Sequence, residues 1–182
     1  MIATNETIFQ IKITLQDTNP PVWRRILVKD FLLANLHEII QVAMGWENCH
    51  LYDFIINGQH FGDASVSDDV EDAFETALSD VATEEGVMFQ YRYDFGDNWE
   101  HEVVVEKFMS AENKEQHLLC LEGERACPPD DVGGVPGYSE FLRAVSDPNN
   151  VNHRSLLDWI GGEFDPEKFD IDAVNRKFAM VR

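Results

Sequence analysis

The sequence predicts an α+β fold of the β-grasp, ubiquitin-like kind: a roll of mixed sheet around one main helix, with a helical and loop-rich C-terminal part. Three observations predict it. Apolar periodicity from residue 7 to residue 62 reads strand, strand, helix, strand, short strand. The run Tyr91-Arg92-Tyr93-Asp94-Phe95-Gly96-Asp97-Asn98-Trp99-Glu100-His101 folds back at a Gly-Asp-Asn turn and supplies two further strands. Beyond residue 108, prolines and glycines break the chain into loops and short helices. The 182 residues are expected to form a single domain, with residues 7–107 as the sheet-rich roll and 108–182 packed on it. A chain of this size hides roughly 70% of its unfolded surface, so it needs neither disulfides nor metal to fold.

Phe9, Ile11, Ile13 and Leu15 alternate with polar residues, the period of a half-buried strand. Asp17-Thr18-Asn19-Pro20-Pro21 is a turn, and Val22 to Val28 returns as the second strand. On that strand Trp23, Arg25 and Leu27 share one face, and Val22, Arg24, Ile26 and Val28 the other. Asp30 is placed to cap the next helix and Gly45 to end it, with Leu32, Leu36, Ile39, Ile40 and Ala43 on one stripe. Leu51 to Ile56 is a strand, Asn57-Gly58 a hairpin turn, and Gln59 to Gly62 its short partner. A short helix is predicted from Ser67 through Leu78. In the central hairpin, Val87, Phe89, Tyr91 and Tyr93 face Trp99, His101, Val103 and Val105, which leaves Arg92, Asp94 and the glutamates outward. Residues 108–117 and the span Cys120 to Gly137 read as loops. Helices follow over Tyr138 to Ser146, Ser155 to Ile160, and after Asp170, which is placed to cap the last one.

Fourteen basic residues against 34 acidic ones give a formal charge of -20. Such a field repels phosphate backbones and anionic lipid, so nucleic acid and membrane surfaces are poor partners; a protein, a cation or a neutral small ligand suits it better. Three cysteines, Cys49, Cys120 and Cys127, form neither a disulfide framework nor a CxxC pair, which points to a reducing cytoplasm. Met1 to Gln10 lacks the pattern of a secretory leader, and no apolar run approaches the ~20 residues of a membrane span.

Several stretches together resemble the plasmid pRiA-type ORF-three-like family. They are Pro20-Pro21-Val22-Trp23-Arg24-Arg25, Leu36-His37-Glu38, Ala43-Met44-Gly45-Trp46 with His50, and Tyr93 through His101. Downstream are Gly123 through Asp131 with Gly133-Gly134, and Phe164-Asp165-Pro166 running to Val174-Asn175. The resemblance implies an α+β roll without an established biochemical role, and some relatives accompany mobile elements. It carries no catalytic assignment. Tyr52 stands where the pattern leads one to expect a second histidine after His50-Leu51.

Three groups of residues have the chemistry for a site. Asp94, Asp97 and His101 place two carboxylates and an imidazole near one turn, suited to a divalent cation or to proton transfer. A regular hairpin points Asp94 away from His101, and only a bulge at Gly96 would unite the three. The bland assignment is turn-forming Asp97 and Asn98 with His101 in the core. Cys127-Pro128-Pro129-Asp130-Asp131 is a stiff loop with a candidate nucleophile or ligand. Cys127 with Cys120, His101 or His117 is a conceivable thiolate–imidazole site, with Asp130 a further candidate ligand. The bland assignment there is a rigid loop with an inert thiol. Arg24 and Arg25 are expected to pair with acids of the same domain, and His37 and His50 to be structural or surface residues.

The function expected from these features is a non-catalytic module that binds a protein or small ligand, through Tyr93, Trp99, Arg125, Asp130 and Asp131. The alternative is a metal-assisted or thiol-dependent enzyme using the 94–101 hairpin and the 127–134 loop, with Asp94, Asp97, His101, Cys127, Asp130 and Asp131 as its residues and a divalent metal as a candidate cofactor. A second alternative is an accessory protein of a mobile element.

Overall fold

The computed structural model describes residues 7–67, 69–110 and 118–181. Strands β1 (Thr7–Leu15) and β2 (Val22–Lys29) form the expected hairpin, with Leu15 opposite Val22. Their alternation places Phe9, Ile11, Ile13, Leu15, Val22, Ile26 and Val28 on one buried face. Helix α1 (Leu33–Met44) lays Leu33, Leu36, Ile39, Ile40 and Ala43 within the same core. Each leucine or isoleucine among them contributes roughly 1.5–3 kcal/mol when taken fully out of water. Gly45 ends α1 at φ 107°, a left-handed conformation natural to glycine, and its N–H donates to the Gln41 carbonyl. Asp30 does not cap α1. The capping position is Leu32, and Asp30 instead accepts from the backbone N–H and hydroxyl of Ser79, tying the start of α1 to α2 (Leu78–Val81).

The second hairpin, β3 (Tyr52–Ile56) and β4 (Gln59–Gly62), turns through Asn57 and Gly58, both at positive φ. The short helix expected from Ser67 through Leu78 is replaced by strand β5 (Glu71–Asp72), which pairs in parallel with β4; helix α2 begins only at Leu78, and Asp68 lies outside the described residues. The aromatic hairpin is β6 (Met88–Tyr93) and β7 (Trp99–Ser110). The loop expected over Cys120 to Gly137 begins as a strand: β8 (Leu118–Glu124) pairs with β2 across a register shift between Arg25 and Ile26. Gly123 is required there, because a Cβ would stand 2.7 Å from the Phe169 ring. The result is one sheet in the order β5-β4-β3-β6-β7-β1-β2-β8. Mixed character is confined to the β4–β5 pair; the other neighbours, including the central β1 and β7, are antiparallel.

The sheet is two-sided. One face carries the apolar rows and is covered by helices. The other carries Lys12, Arg25, Gln90, Glu102 and Glu106 and meets solvent, as antiparallel sheets allow. Arg25 pairs there with Glu106 and Glu122, as expected. Helices α3 (Gly134–Ser146), α4 (His153–Trp159) and α5 (Ile171–Phe178) complete the fold. Asp170 caps α5 by accepting from the Ala173 N–H, and Asn175 on α5 both donates to and accepts from the Cys120 backbone on the edge strand. No helix among the described residues is long and apolar enough to cross a membrane.

Arg24 departs from expectation. It is 1% exposed, and among the described residues it meets no carboxylate. Its guanidinium donates to four carbonyls: Ala43 in the last turn of α1, Trp23, Glu124 and Arg125. The Phe169 ring lies 4.0 Å from it. Burial lowers its pKa, against the Cys127 and Cys120 sulfurs that favour the charged form. One planar cation therefore joins β2, the end of α1 and the chain leaving β8.

Two histidines are locked as neutral rings in the core. The Gln41 amide donates to the Tyr91 hydroxyl, which donates to His37 Nδ1 at 2.7 Å; His37 Nε2–H donates to Asn48 Oδ1 at 2.7 Å. That order of donors fixes the tautomer. His37 also stacks on Tyr52 with ring centroids 3.6 Å apart. His101 is fully buried and donates from Nδ1 to the Tyr91 carbonyl, while Nε2 finds no hydrogen-bond partner. Desolvation pushes both rings down to about 4.

Arg24→Met keeps the apolar stem and abandons buried carbonyls, each of which costs about 1–3 kcal/mol when unsatisfied. We expect urea denaturation to show a loss of at least ~3 kcal/mol, with Arg24→Lys close behind, since an ammonium cannot reach four divergent acceptors. For the histidines, a folded pKa below the unfolded value means that the unfolded chain binds the extra protons. The stability this confers is complete above pH ~6.5 and is lost as pH falls from there toward about 4, by up to ~1.4 kcal/mol per pH unit for each ring. His101→Leu should therefore flatten the fall in urea midpoint between pH 6.5 and 4 relative to wild type, by about one ring's share.

Candidate functional site

Three loops meet beside the aromatic hairpin. Trp46 to His50 follows α1, residues 94–98 form the hairpin tip, and residues 125–133 connect β8 to α3. The first is held by its neighbours' side chains. Trp46 Nε1 donates to the Pro128 carbonyl at 3.0 Å, the Glu47 N–H to Asp130 Oδ2 at 3.1 Å, and the Cys49 N–H to the Tyr93 hydroxyl at 3.1 Å. The tip is closed by the Asn98 N–H donating to the Asp94 carbonyl and the Gly96 N–H to Asp94 Oδ1. It is joined to the third loop by Asp97 Oδ2, which accepts from the Gly133 N–H at 2.9 Å. The approach is close enough that a Cβ on Gly134 would stand 2.4 Å from the Asp97 carbonyl oxygen. The Gly96 turn and the proline-stiffened loop thus meet.

At that meeting point lie His50, Asp94 and Asp131. Nε2 of His50 is 3.7 Å from Asp94 Oδ2 and 3.1 Å from Asp131 Oδ1. One ligand atom from each residue falls within 4.8 Å of the others. Asp94 is nearly buried, His50 half-buried and Asp131 open to solvent. Both carboxylates sit on left-handed residues, Asp94 at φ 55° and Asp131 at φ 58°. Such backbone costs energy for a non-glycine residue, least for Asp and Asn, and collects at functional positions.

The remaining candidates are placed elsewhere. His101 is not with Asp94 and Asp97. It pairs across the ladder with Tyr91, under the edge of Trp46 at 5.1 Å between ring centroids, because its strand parity points it into the core. Asp97 is a structural link to Gly133. Cys127 is partly buried, and desolvation pushes its thiol far above the usual thiol range despite the nearby Arg24 cation. A thiol held protonated is a poor nucleophile and a poor ligand. His117 lies outside the described residues. Tyr93 and Trp99, offered by the sequence as a recognition surface, are fully buried against Trp46, with ring centroids at 5.0 and 6.0 Å, and reach no solvent. Arg125 is buried and paired with Glu167. Asp130 is partly buried, with Oδ1 lacking a partner, and burial pushes its carboxyl up against the Glu47 N–H that favours its charged form.

His50 was not a candidate from sequence, since it lies 44 and 81 positions from Asp94 and Asp131. It borders a second feature as well. A cleft of about 450 Å³ runs between α1, β3 and β4, lined among others by His37, His50, Tyr52, His60, Arg92 and Phe95. Leu51, Val66, Phe74 and Phe95 are roughly half-exposed at its walls. Asp53, almost wholly buried, accepts two hydrogen bonds from Arg92 and one contact from His60 at 2.7 Å, which fixes both. Arg92 lies 4.6 Å from the Phe95 ring. The Tyr52 hydroxyl is buried without a partner, and burial pushes it up to about 12, so it stays a donor.

The comparisons with known proteins agree with this architecture. The chain is similar to a protein of unknown function from Methanosarcina mazei Go1, MM3350, whose crystal structure superposes with a TM-score of 0.84 at 32% identity, covering 93% of this chain and 98% of that one. It is 38% identical over 179 residues to the uncharacterized protein y4hQ of Sinorhizobium fredii (strain NBRC 101917 / NGR234), covering 96% of this chain and 89% of that protein. Residues 7–173 match the family described as plasmid pRiA4b ORF-3-like protein, and the chain belongs to that family.

Proposed function

We propose that the chain works as one domain, an elaborated β-grasp roll, and that its role is non-catalytic binding of a small ligand in the cleft between α1, β3 and β4. The observation that carries this reading is the gathering of exposed apolar side chains. Of the nine large hydrophobic residues exposed on the described surface, four (Leu51, Val66, Phe74 and Phe95) border this one cleft. Scattered exposed apolar residues are ordinary; a concave cluster with a few fixed polar groups is the form of a ligand site. Tyr52 supplies an unused donor, and Arg92 and His60 are held in place by Asp53. Glu38, Asp53, Asp63 and Asp69 outnumber the cations around it, so the fitting ligand is a neutral or cationic molecule with an apolar body.

The β-grasp description is supported by the order β1, β2, α1, β3, β4. A cytoplasmic setting is supported by three free cysteines. An accessory role for a mobile element rests on the family's plasmid name, and the charge of -20 weighs against DNA as a direct partner. The thiol-dependent alternative has little support with Cys127 held protonated.

Protein-detected NMR with fragments in three sets (neutral aromatic, cationic aromatic and anionic aromatic) tests the reading. Neutral or cationic fragments should give saturable shifts at Leu51 to Phe54, His60 to Gly62 and Arg92 to Phe95, and Phe74→Ser should weaken them several-fold. Shifts confined to other surfaces, or binding indifferent to Phe74→Ser, would sink it.

A further inference from the structure

We propose that His50, Asp94 and Asp131 form a binding site for one divalent first-row transition ion, of the kind that accepts mixed imidazole and carboxylate ligands. This site is distinct from the cleft reading and stands or falls without it.

Spacing is the first support. Zinc holds imidazole nitrogen and carboxylate oxygen at about 2.0–2.2 Å, so neighbouring donors of a tetrahedral shell lie roughly 3.3–3.6 Å apart. Two of the three separations here, 3.7 Å from His50 Nε2 to Asp94 Oδ2 and 3.1 Å to Asp131 Oδ1, bracket that range, and one ligand atom from each of the three residues falls within 4.8 Å of the others. The imidazole is the second support. Its Nε2 is shut off from solvent and makes no directed hydrogen bond, although Asp131 Oδ1 lies close. A buried ring nitrogen facing two carboxylate oxygens without a directed bond has its lone pair free for a cation when the ring proton is on Nδ1. The fixing of the donors is the third. Asp94 is held by the Gly96 N–H on its other oxygen, and the Asp94 N–H donates to the Leu51 carbonyl, next to His50. Asp131 follows Asp130, which is clamped to the Glu47 N–H. The donors thus come from three loops already tied together.

One nitrogen and two oxygens favour zinc, manganese or iron(II) over calcium and magnesium, which prefer all-oxygen shells. Two bound carboxylates and a neutral imidazole neutralise a divalent charge. Three protein ligands, with Asp131 open to solvent, leave a further coordination position for water or for a donor atom of a ligand.

The test uses the full chain, stripped with a chelator and titrated by calorimetry with Zn²⁺ and with Mn²⁺, with Ca²⁺ and Mg²⁺ as comparators. Zn²⁺ or Mn²⁺ should bind one per chain and raise the melting temperature. Asp131→Asn and Asp94→Asn should each weaken binding at least ~10-fold, the size known for disturbing even an outer partner of a metal ligand. Asparagine tolerates the left-handed backbone, so both variants keep the fold, which circular dichroism and an unchanged melting curve without metal will verify. His50→Ala should abolish binding, and His153→Ala, on α4 and outside both the cleft and the carboxylate pair, should leave it unchanged. No saturable uptake of either ion, or uptake lost in His153→Ala and retained in Asp131→Asn, overturns the site.

Discussion

A single buried cation sets the frame. Arg24 lies on the inner face of β2, where a helix-covered sheet ordinarily carries an aliphatic residue, and it spends its donors on backbone carbonyls. Three of those carbonyls belong to segments far apart in sequence: Ala43 in the last turn of α1, and Glu124 and Arg125 where the chain leaves β8. Such groups would otherwise be orphaned, because the end of a helix and the end of an edge strand both present acceptors without donors. A carboxylate partner would have satisfied the charge and left the carbonyls unmet. The choice of carbonyls over acid, in a chain with 34 acidic residues, therefore has a structural consequence. It fixes where α1 stops and where residues 125–133 begin, and with them the height at which Asp130 and Asp131 meet the hairpin.

From that anchor the site is assembled by hydrogen bonds between side chains and backbone groups and not by contacts between its own functional groups. Asp97 holds Gly133, Asp130 holds Glu47, the Tyr93 hydroxyl holds Cys49, and Trp46 holds Pro128. Three of these bonds link two of the three loops, and the Tyr93 hydroxyl ties the first loop to the end of β6. The carboxylates at the meeting point sit on left-handed residues, and both types of glycine requirement appear nearby: Gly133 at φ 96°, and Gly134, where a side chain would collide with the Asp97 backbone. Local backbone cost is thus concentrated where the loops converge, and the sheet and α1 supply the packing that sustains it.

Strands β1 to β4, β6 and β7 were legible because their apolar residues alternate or their turns carry Asn-Gly or proline signals; Gln59–Gly62 follows directly from the turn before it, whereas β5 lay in a stretch read as helix. Family membership was legible from the combined motifs. Strand β8 was not, since Cys120 to Glu124 has little alternation and a glycine. Its place is set by β2's open edge, by Asn175 and by the close approach of Phe169 to Gly123, all tertiary facts. The same limit governed the site. Asp94 and Asp131 were visible as turn carboxylates, but His101 lay nearer in sequence than His50 and drew the assignment. Strand parity turns His101 into the core, whereas His50 reaches Asp94 only because β3 is paired with β6, with Tyr52 opposite Tyr93. Reading Tyr93 and Trp99 as a surface had the same cause: exposure depends on what covers a face, and Trp46 covers this one.

His50 belongs to both features of the protein. Its ring borders the cleft, and its Nε2 faces the two carboxylates. The residue after it is bonded to Asp94 through the Leu51 carbonyl, and the next, Tyr52, stacks on His37 and begins the strand that forms the cleft floor. A cation that fixed the imidazole would therefore fix one wall of the cleft, and a ligand that filled the cleft would hold the imidazole toward the carboxylates. Such coupling is reciprocal in free energy by necessity. The strong acidity fits the same geometry, since a field of -20 raises the local concentration of cations around the carboxylates.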